Sequence, residues 1–595
     1  MGKGDYNISE IYQGGYSSLK PTYGDVFTGY RVAAGSLGLT TDPRQANVLQ
    51  EVSSKLSTGV KQIEIAAVSP EIFDSMPKQQ LKEINRLSKL TGIDISIHAP
   101  VIDSTGITQQ GFSESNRELS ERKVADALIR SHELNPDGNV NVTVHSSEGL
   151  PGTEWKTLGK EGEARTAKKM VAINKDSGQM TALEEEKRFS PGRGGEEPLI
   201  REELHTPEQN LELTNASDWD NKITQLFFNK ERADEILQEN QVQIQTLFEE
   251  TGGKLDPNKL NPSQENAWLK FQDAQNYLQE IHKSANALFS KAYEFGTTEQ
   301  KEKLKEISKK YGNELGETPT VLRESKAMHN LLLNLQNPEI TPTMFVPLEE
   351  FATEQSAKTF GNAAFNAYKK FNDHAPILCI ENPPVGMGLS TGEDLKNLIE
   401  ASRKQFVENA IKEKGMKEKE ANKLAEKFIG ATWDVGHINM LRKQGFESKD
   451  IVAETGKIAP LVKHVHLSDN FGFEHTELPM GMGNVPLKEI LNKLGKEGFD
   501  AKKIIEAGNW WQHFKTPPVK ETMEALGSPI YSMEMAPYWN QSMGLQQGYS
   551  GGLDGAWLPQ VNYETFGGGF SQLPTELGGQ RPGAQGSRMG GRPME

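Results

Sequence analysis

Six short apolar runs in this chain end in an imidazole or a carboxylate. The runs near residues 93–98, 139–145, 376–381, 428–434, 461–467 and 503–506 close on His98, His145, Glu381, Asp434, His466 and Glu506. His437 follows Asp434 by three residues, and Glu474, His475 and Glu477 lie in the segment beyond His466. Imidazole nitrogens and carboxylate oxygens together suit Zn2+, Mn2+ or a similar divalent ion. A lone terminal His is ordinarily a satisfied polar residue, and a lone Glu or Asp a helix cap or ion-pair partner. Residues that recur at one level of successive elements converge instead, and convergence is what a metal site needs. His464 alternates with His466 on one strand and so lies one layer deeper, which suits a structural core role. His132, His205, His282, His329, His374 and His513 fall on helices or loops and carry no such expectation.

The elements that must position these groups alternate between strand-like and helical patterns. Arg31-Val-Ala-Ala-Gly reads as a first strand, and residues 60–67, 93–98 and 139–145 read as the next three. Helical stretches near 43–56, 76–90 and 113–134 separate them. The alternation resumes with strands at 376–381, 428–434, 461–467 and 503–506, and with helices at 349–371, 391–412 and 517–526. Eight strands alternating with helical segments point to a (β/α)8 barrel with a parallel sheet.

The remainder of the chain departs from this repeat. The expected division is an N-terminal extension (1–29), a first barrel half (30–150), a mainly helical insert (151–340), a second barrel half (341–538) and a Gly-rich tail (539–595). The insert opens on a possible hairpin around Met170–Lys175 and Met180–Leu183, followed by long helical patterns, with Ser217-Asp-Trp-Asp resembling a capping box. It follows the fourth strand and so grows from a βα loop, on the side where barrels place their chemistry. The tail is too rich in glycine to bury enough apolar area for folding and is expected to be disordered. Insert and tail are both candidate surfaces for protein partners.

Composition sets outer limits. The 595 residues carry 66 Lys+Arg against 82 Asp+Glu, a net charge of −16, which disfavours a broadly basic nucleic-acid-coating protein. Arg117, Arg122 and Lys123 are the local basic candidates. The single cysteine, Cys379, excludes an internal disulfide and a Cys-rich zinc module. No stretch has the roughly 18 uninterrupted apolar residues of a membrane span, and no apolar signal core opens the chain. The expectation is a cytoplasmic protein without a membrane partner.

The ordered set Ile97-His-Ala-Pro, Val144-His-Ser, Ile380-Glu-Asn, Trp433-Asp-Val-Gly-His, Val465-His-Leu-Ser-Asp and Ile505-Glu-Ala-Gly resembles the strand ends of the xylose-isomerase-like TIM barrel superfamily. That superfamily includes endonuclease IV (apurinic/apyrimidinic endonuclease family 2) and many sugar isomerases and epimerases. The resemblance spans about 30–145 and 345–530. It implies Glu381, Asp434, His466 and Glu506 as the common ligands. It implies His98 and His145 as the extra histidines of the endonuclease type, with His437 matching the Asp-x-x-His motif and His475 in the loop after the seventh strand. That loop reads Phe473-Glu-His-Thr-Glu where the endonuclease pattern has Asp-x-His, and Met480-Gly-Met-Gly resembles the family's Gly-x-Gly turn.

The implied function is a metal-dependent phosphoester hydrolase of the DNA-repair type. Two or three Zn2+ ions would activate a water to attack a phosphodiester, with abasic DNA a candidate substrate. A first alternative is a sugar or sugar-phosphate isomerase or epimerase on one Mn2+ or Mg2+, with Glu381 and Glu506 as catalytic acid and base. A second is a non-enzymatic partner-binding scaffold.

Overall fold

The computed structural model describes residues 37–45, 47–159, 164–191, 200–251, 260–316, 321–508, 510, 514 and 517–526. The proposed extension at 1–29, the Arg31–Gly35 strand, His513 and the Gly-rich tail lie outside the described residues. Eight parallel strands close into a barrel: β1 (Leu37–Thr40), β2 (Gln62–Ala66), β3 (Asp94–His98), β4 (Asn141–His145), β5 (Ile377–Glu381), β6 (Ile429–Asp434), β7 (Val462–Leu467) and β8 (Lys502–Ile505). Each pairs with its neighbours in chain order, and β8 pairs with β1 to complete the ring. The first strand thus sits six residues or so beyond the apolar run at Arg31, on a four-residue segment, Leu37-Gly-Leu-Thr, whose glycine hides its strand character. At Gly38 an added Cβ would meet Ile504 Cδ1 at 2.4 Å and the Gln62 Cβ and carbonyl oxygen at 2.9 Å, so packing from both neighbouring strands favours glycine there.

The strands are β-branched and apolar because one face packs beneath the helices while the other fills the barrel. Ile63, Ile65, Ile95, Ile97, Val142, Val144, Ile380 and Val465 are all buried. The interior of this barrel carries buried polar side chains. Thr143 and Thr432 bond hydroxyl to hydroxyl at 2.9 Å from β4 to β6, strands that are not neighbours, so the bond runs through the interior. Glu64, Ser96 and His464 are buried in the same way.

Residues 37–166 and 352–526 make up the barrel unit, and Ala167–Phe351 a second compact unit. Strand Thr166–Asn174 pairs antiparallel with Met180–Glu184 and with Phe345–Pro347, and Glu186–Pro191 pairs with Ile200–His205. Four long helices follow, Pro207–Glu239, Pro262–Phe295, Thr298–Leu315 and Val321–Leu335, with a shorter one at Gln241–Thr251. Ser217 lies in the middle of the first helix; the capping box is made instead by Thr206 and Gln209, with Pro207 in the first turn. Asn261 with Gln264 and Thr297 with Gln300 repeat the device at the next two long helices. The unit has its own core, in which Trp219 is buried and donates its indole N–H to Leu335 O at 2.8 Å. No helix among the described residues is long and apolar enough to cross a membrane.

Candidate metal centre

Strand register brings the terminal side chains to one level. His145 is the partner of Glu381 across β4 and β5, and Asp434 is the partner of His466 across β6 and β7. Glu381 is fully buried and its two oxygens face different groups. Oε2 lies 3.0 Å from His98 Nε2 and 3.3 Å from His145 Nε2. Oε1 lies 2.7 Å from His466 Nδ1, which is in turn 3.0 Å from Glu506 Oε2. Two clusters therefore share one carboxylate: His98, His145 and Glu381 form the first, and Glu381, Asp434, His466 and Glu506 the second, each with ligand atoms within 4.8 Å of one another.

The ring nitrogens are presented by what holds their opposite sides. His98 Nδ1 donates to Ala99 O at 2.9 Å and His437 Nδ1 donates to Asn382 O at 2.7 Å, which leaves Nε2 of each ring facing the site. His437 and His475 meet Nε2 to Nε2 at 2.8 Å and stand outside both clusters. Asp434 Oδ1 caps the short helix Val435–Asn439, accepting from Gly436 N and His437 N at 2.7 and 2.8 Å and from Ser468 Oγ at 3.0 Å. Asn382 clamps the Asp434 backbone from both sides, accepting from its N–H and donating to its carbonyl. In the loop beyond β7, Asp469 accepts from the N–H groups of Gly481 and Gly483 at 2.8 and 2.9 Å, so the Met480-Gly-Met-Gly turn is folded onto a carboxylate. Glu474 is exposed, and Glu477 holds a backbone φ of 45°, uncommon for a residue with a side chain.

The electrostatics are those of anions crowded in a dry space. Burial raises the Asp434 carboxyl well above the usual carboxylate range, and the nearby Glu506 and Glu381 add to it. Burial works against the charge of His98, but the Glu381 carboxylate outweighs it and lifts the imidazole to about 9. His466 is raised likewise, against burial, by Glu381, Glu506 and Glu64. His437 moves the other way, to about 3, through burial and the neighbouring His475. Two buried carboxylates, the partly buried Glu506 and three imidazoles fit a divalent cation, which would take over the role that protons on His98 and His466 play here.

All eight expected ligands lie at this end of the barrel, six in the two clusters and the His437–His475 pair beside them. Sequence reasoning missed Glu64. It sits mid-strand on β2, fully buried, with Oε1 2.9 Å from His466 Nε2 and Oε2 2.8 Å from His464 Nε2. The local sequence says only that a carboxylate between Ile63 and Ile65 points to the face opposite both, and barrel closure makes that face the interior. Of the basic candidates, Arg117 is buried and paired with Glu114 and Glu121 at 2.7 and 2.8 Å, so it is a packing residue. Arg122 faces Glu118.

A sequence profile of the family described as "Xylose isomerase-like TIM barrel" matches residues 354–528. The second half of the barrel is thus similar to that family. An uncharacterized protein of Methanocaldococcus jannaschii is 30% identical over 109 residues, which span 18% of this chain and 36% of that protein. A crystal structure titled as a D-tagatose 3-epimerase-like protein aligns over 84% of this chain and 98% of its own, at 13% identity and a TM-score of 0.37. The xylose isomerase-like family includes endonuclease IV, isomerases and epimerases, and most of its members are enzymes, many of them binding divalent metals.

Proposed function

We propose that this protein is a divalent-metal-dependent phosphoester hydrolase of the endonuclease IV type. The observation that carries the reading is the divided carboxylate of Glu381, one oxygen toward His98 and His145 and the other toward His466. A site for a single ion has no use for two imidazoles on the far side of a ligand it already holds. Bound divalent ions would supply Lewis-acid activation of a water and neutralise charge on a phosphodiester. The chain's own residues would do the rest. Glu381 would bridge; His98 and His145 would hold one position; Asp434, His466 and Glu506 would hold the other; His437 and His475 stand where a third could be held. Asn382, Ser468 and the short helix behind Asp434 keep its second oxygen turned to the site. Zn2+ suits this mixed nitrogen and oxygen set, and abasic DNA is the substrate to try first.

A second reading has its own support, because Glu381, Asp434, His466 and Glu506 form a complete four-ligand set without the other histidines. On that reading one Mn2+ or Mg2+ serves a sugar isomerase or epimerase, with Glu381 and Glu506 moving the proton. One experiment separates the two. Purified protein is tested on an abasic-site duplex and on a ketose panel, with and without chelator, and its metal content is measured. Chelator-sensitive strand cleavage with two or three ions per chain is the expected result. Ketose turnover with one ion, and no cleavage, would overturn the hydrolase.

A further inference from the structure

Beneath the ligand level, the barrel holds a second set of buried polar groups, Glu64 and His464, which lie close enough to His466 to form a ligand-like group of their own but take no part in the two clusters that share Glu381. Glu64 Oε2 receives two donors, His464 Nε2 at 2.8 Å and Ser96 Oγ at 3.1 Å. Its other oxygen, Oε1, faces His466 Nε2, at 2.9 Å and off the line of an ideal hydrogen bond. Among the described residues neither of these two atoms has another hydrogen-bond partner, and both residues are fully buried. The register explains the arrangement: Glu64 is the β2 partner of Ser96 on β3, while His464 lies two residues before His466 on β7, across the barrel. Saturating Oε2 from two sides fixes the plane of the carboxylate and leaves Oε1 a single task.

We infer that Glu64 is a positioning residue for the metal ligand His466, holding its Nε2–H so that Nδ1 is the atom turned toward Glu381 and Glu506. His464 and Ser96 act one step further back, by orienting Glu64. The inference rests on the metal-centre reading above. It assigns His466 the opposite presentation to His98 and His437, whose Nδ1 atoms are held by backbone carbonyls and whose Nε2 atoms face the site. A carboxylate behind a ligating imidazole raises its basicity and fixes its ring, and loss of such a partner typically weakens metal binding about 10–100-fold.

The test uses the full-length chain, stripped with chelator and titrated with Zn2+ against a chromophoric competitor, together with nitrogen-15 spectra of histidine-labelled protein. Glu64→Ala is expected to weaken Zn2+ binding by about 10–100-fold, while Glu64→Gln, whose amide oxygen can still accept from His466, recovers part of the loss. In the Zn2+-loaded wild type, His466 is expected to be metal-bound through Nδ1 with a slowly exchanging Nε2–H, a signature that mere packing does not produce. Metal bound through His466 Nε2 would overturn the inference, as would folded Glu64→Ala protein with unchanged affinity and an unchanged Nε2–H signal. Should Glu64→Ala not fold, the wild-type spectrum and Glu64→Gln decide alone. Wild-type protein that takes up no divalent ion would refute the metal centre instead, and the protected His466 Nε2–H of the metal-free chain, lost or kept in Glu64→Gln, still reads the role of Glu64.

Discussion

In metal-free protein, the proton on His98 substitutes for a cation between two clusters of ligands, and its removal by alkali should be measurable as lost stability. The folded imidazole titrates near 9, against an unperturbed 6.5. The folded state therefore binds the proton more tightly than the unfolded chain. Its contribution is fully present below about pH 6.5 and disappears as the pH rises through 9. The rise from 6.5 to about 9 corresponds to about 3 kcal/mol at the acid end of that window. The comparison is between wild type and His98→Gln, a variant that does not titrate there, both in chelator, with unfolding free energy measured by denaturant from pH 6 to 10. The stability gap between them should close by about 3 kcal/mol over that range. Zn2+ at saturating concentration should flatten the wild-type profile, because the ion displaces the proton. A gap that stays constant with pH, or widens in alkali, would refute the argument that Glu381 holds His98 protonated.

Three further outcomes follow from the geometry. Glu381→Gln removes the ligand common to both clusters, so metal content by mass spectrometry should drop for the whole centre rather than for one ion, with chelator-sensitive activity lost alongside. Gly483→Ala places a Cβ 2.3 Å from Asp469 Oδ1 and from Asn470 O, and thermal denaturation should report a loss of about 1–3 kcal/mol. In the second compact unit, Trp219→Phe keeps most of the ring but orphans Leu335 O, costing about 1 kcal/mol, whereas Trp219→Ala should cost about 3–5 kcal/mol; chemical denaturation of the two side by side checks the ratio.

Most of the barrel was legible because its strands are apolar runs with a polar last residue, and that pattern needs no tertiary information. Where reading failed, the competing physics is identifiable. Leu37-Gly-Leu-Thr is only four residues long with a glycine inside it, which weakens its local strand signal, and its pairing with both β8 and β2 is what marks it as the strand. Ser217 looked like a helix start because of the acidic residues after it, yet Thr206-Pro-Glu-Gln carries the stronger signal of a cap followed by proline. The ligands at strand ends could be named from position alone. Glu64 could not be weighed without knowing that His464 and His466 face it from across the barrel, which is a fact of closure and not of local sequence.

The pairing of β4 with β5 joins His145 to Glu381 across the whole of the second compact unit, which lies between them in the chain. That makes completion of the ligand set a long-range folding event. Chain ends separated by so many free residues meet slowly, since the entropy of closing a loop must be met before any contact rewards it. A segment with its own core and its own capped helices shortens that search, because once it has collapsed the two barrel halves are joined by a folded body rather than by free chain. Assembly of the metal centre would then be timed by a part of the sequence that contributes none of its ligands.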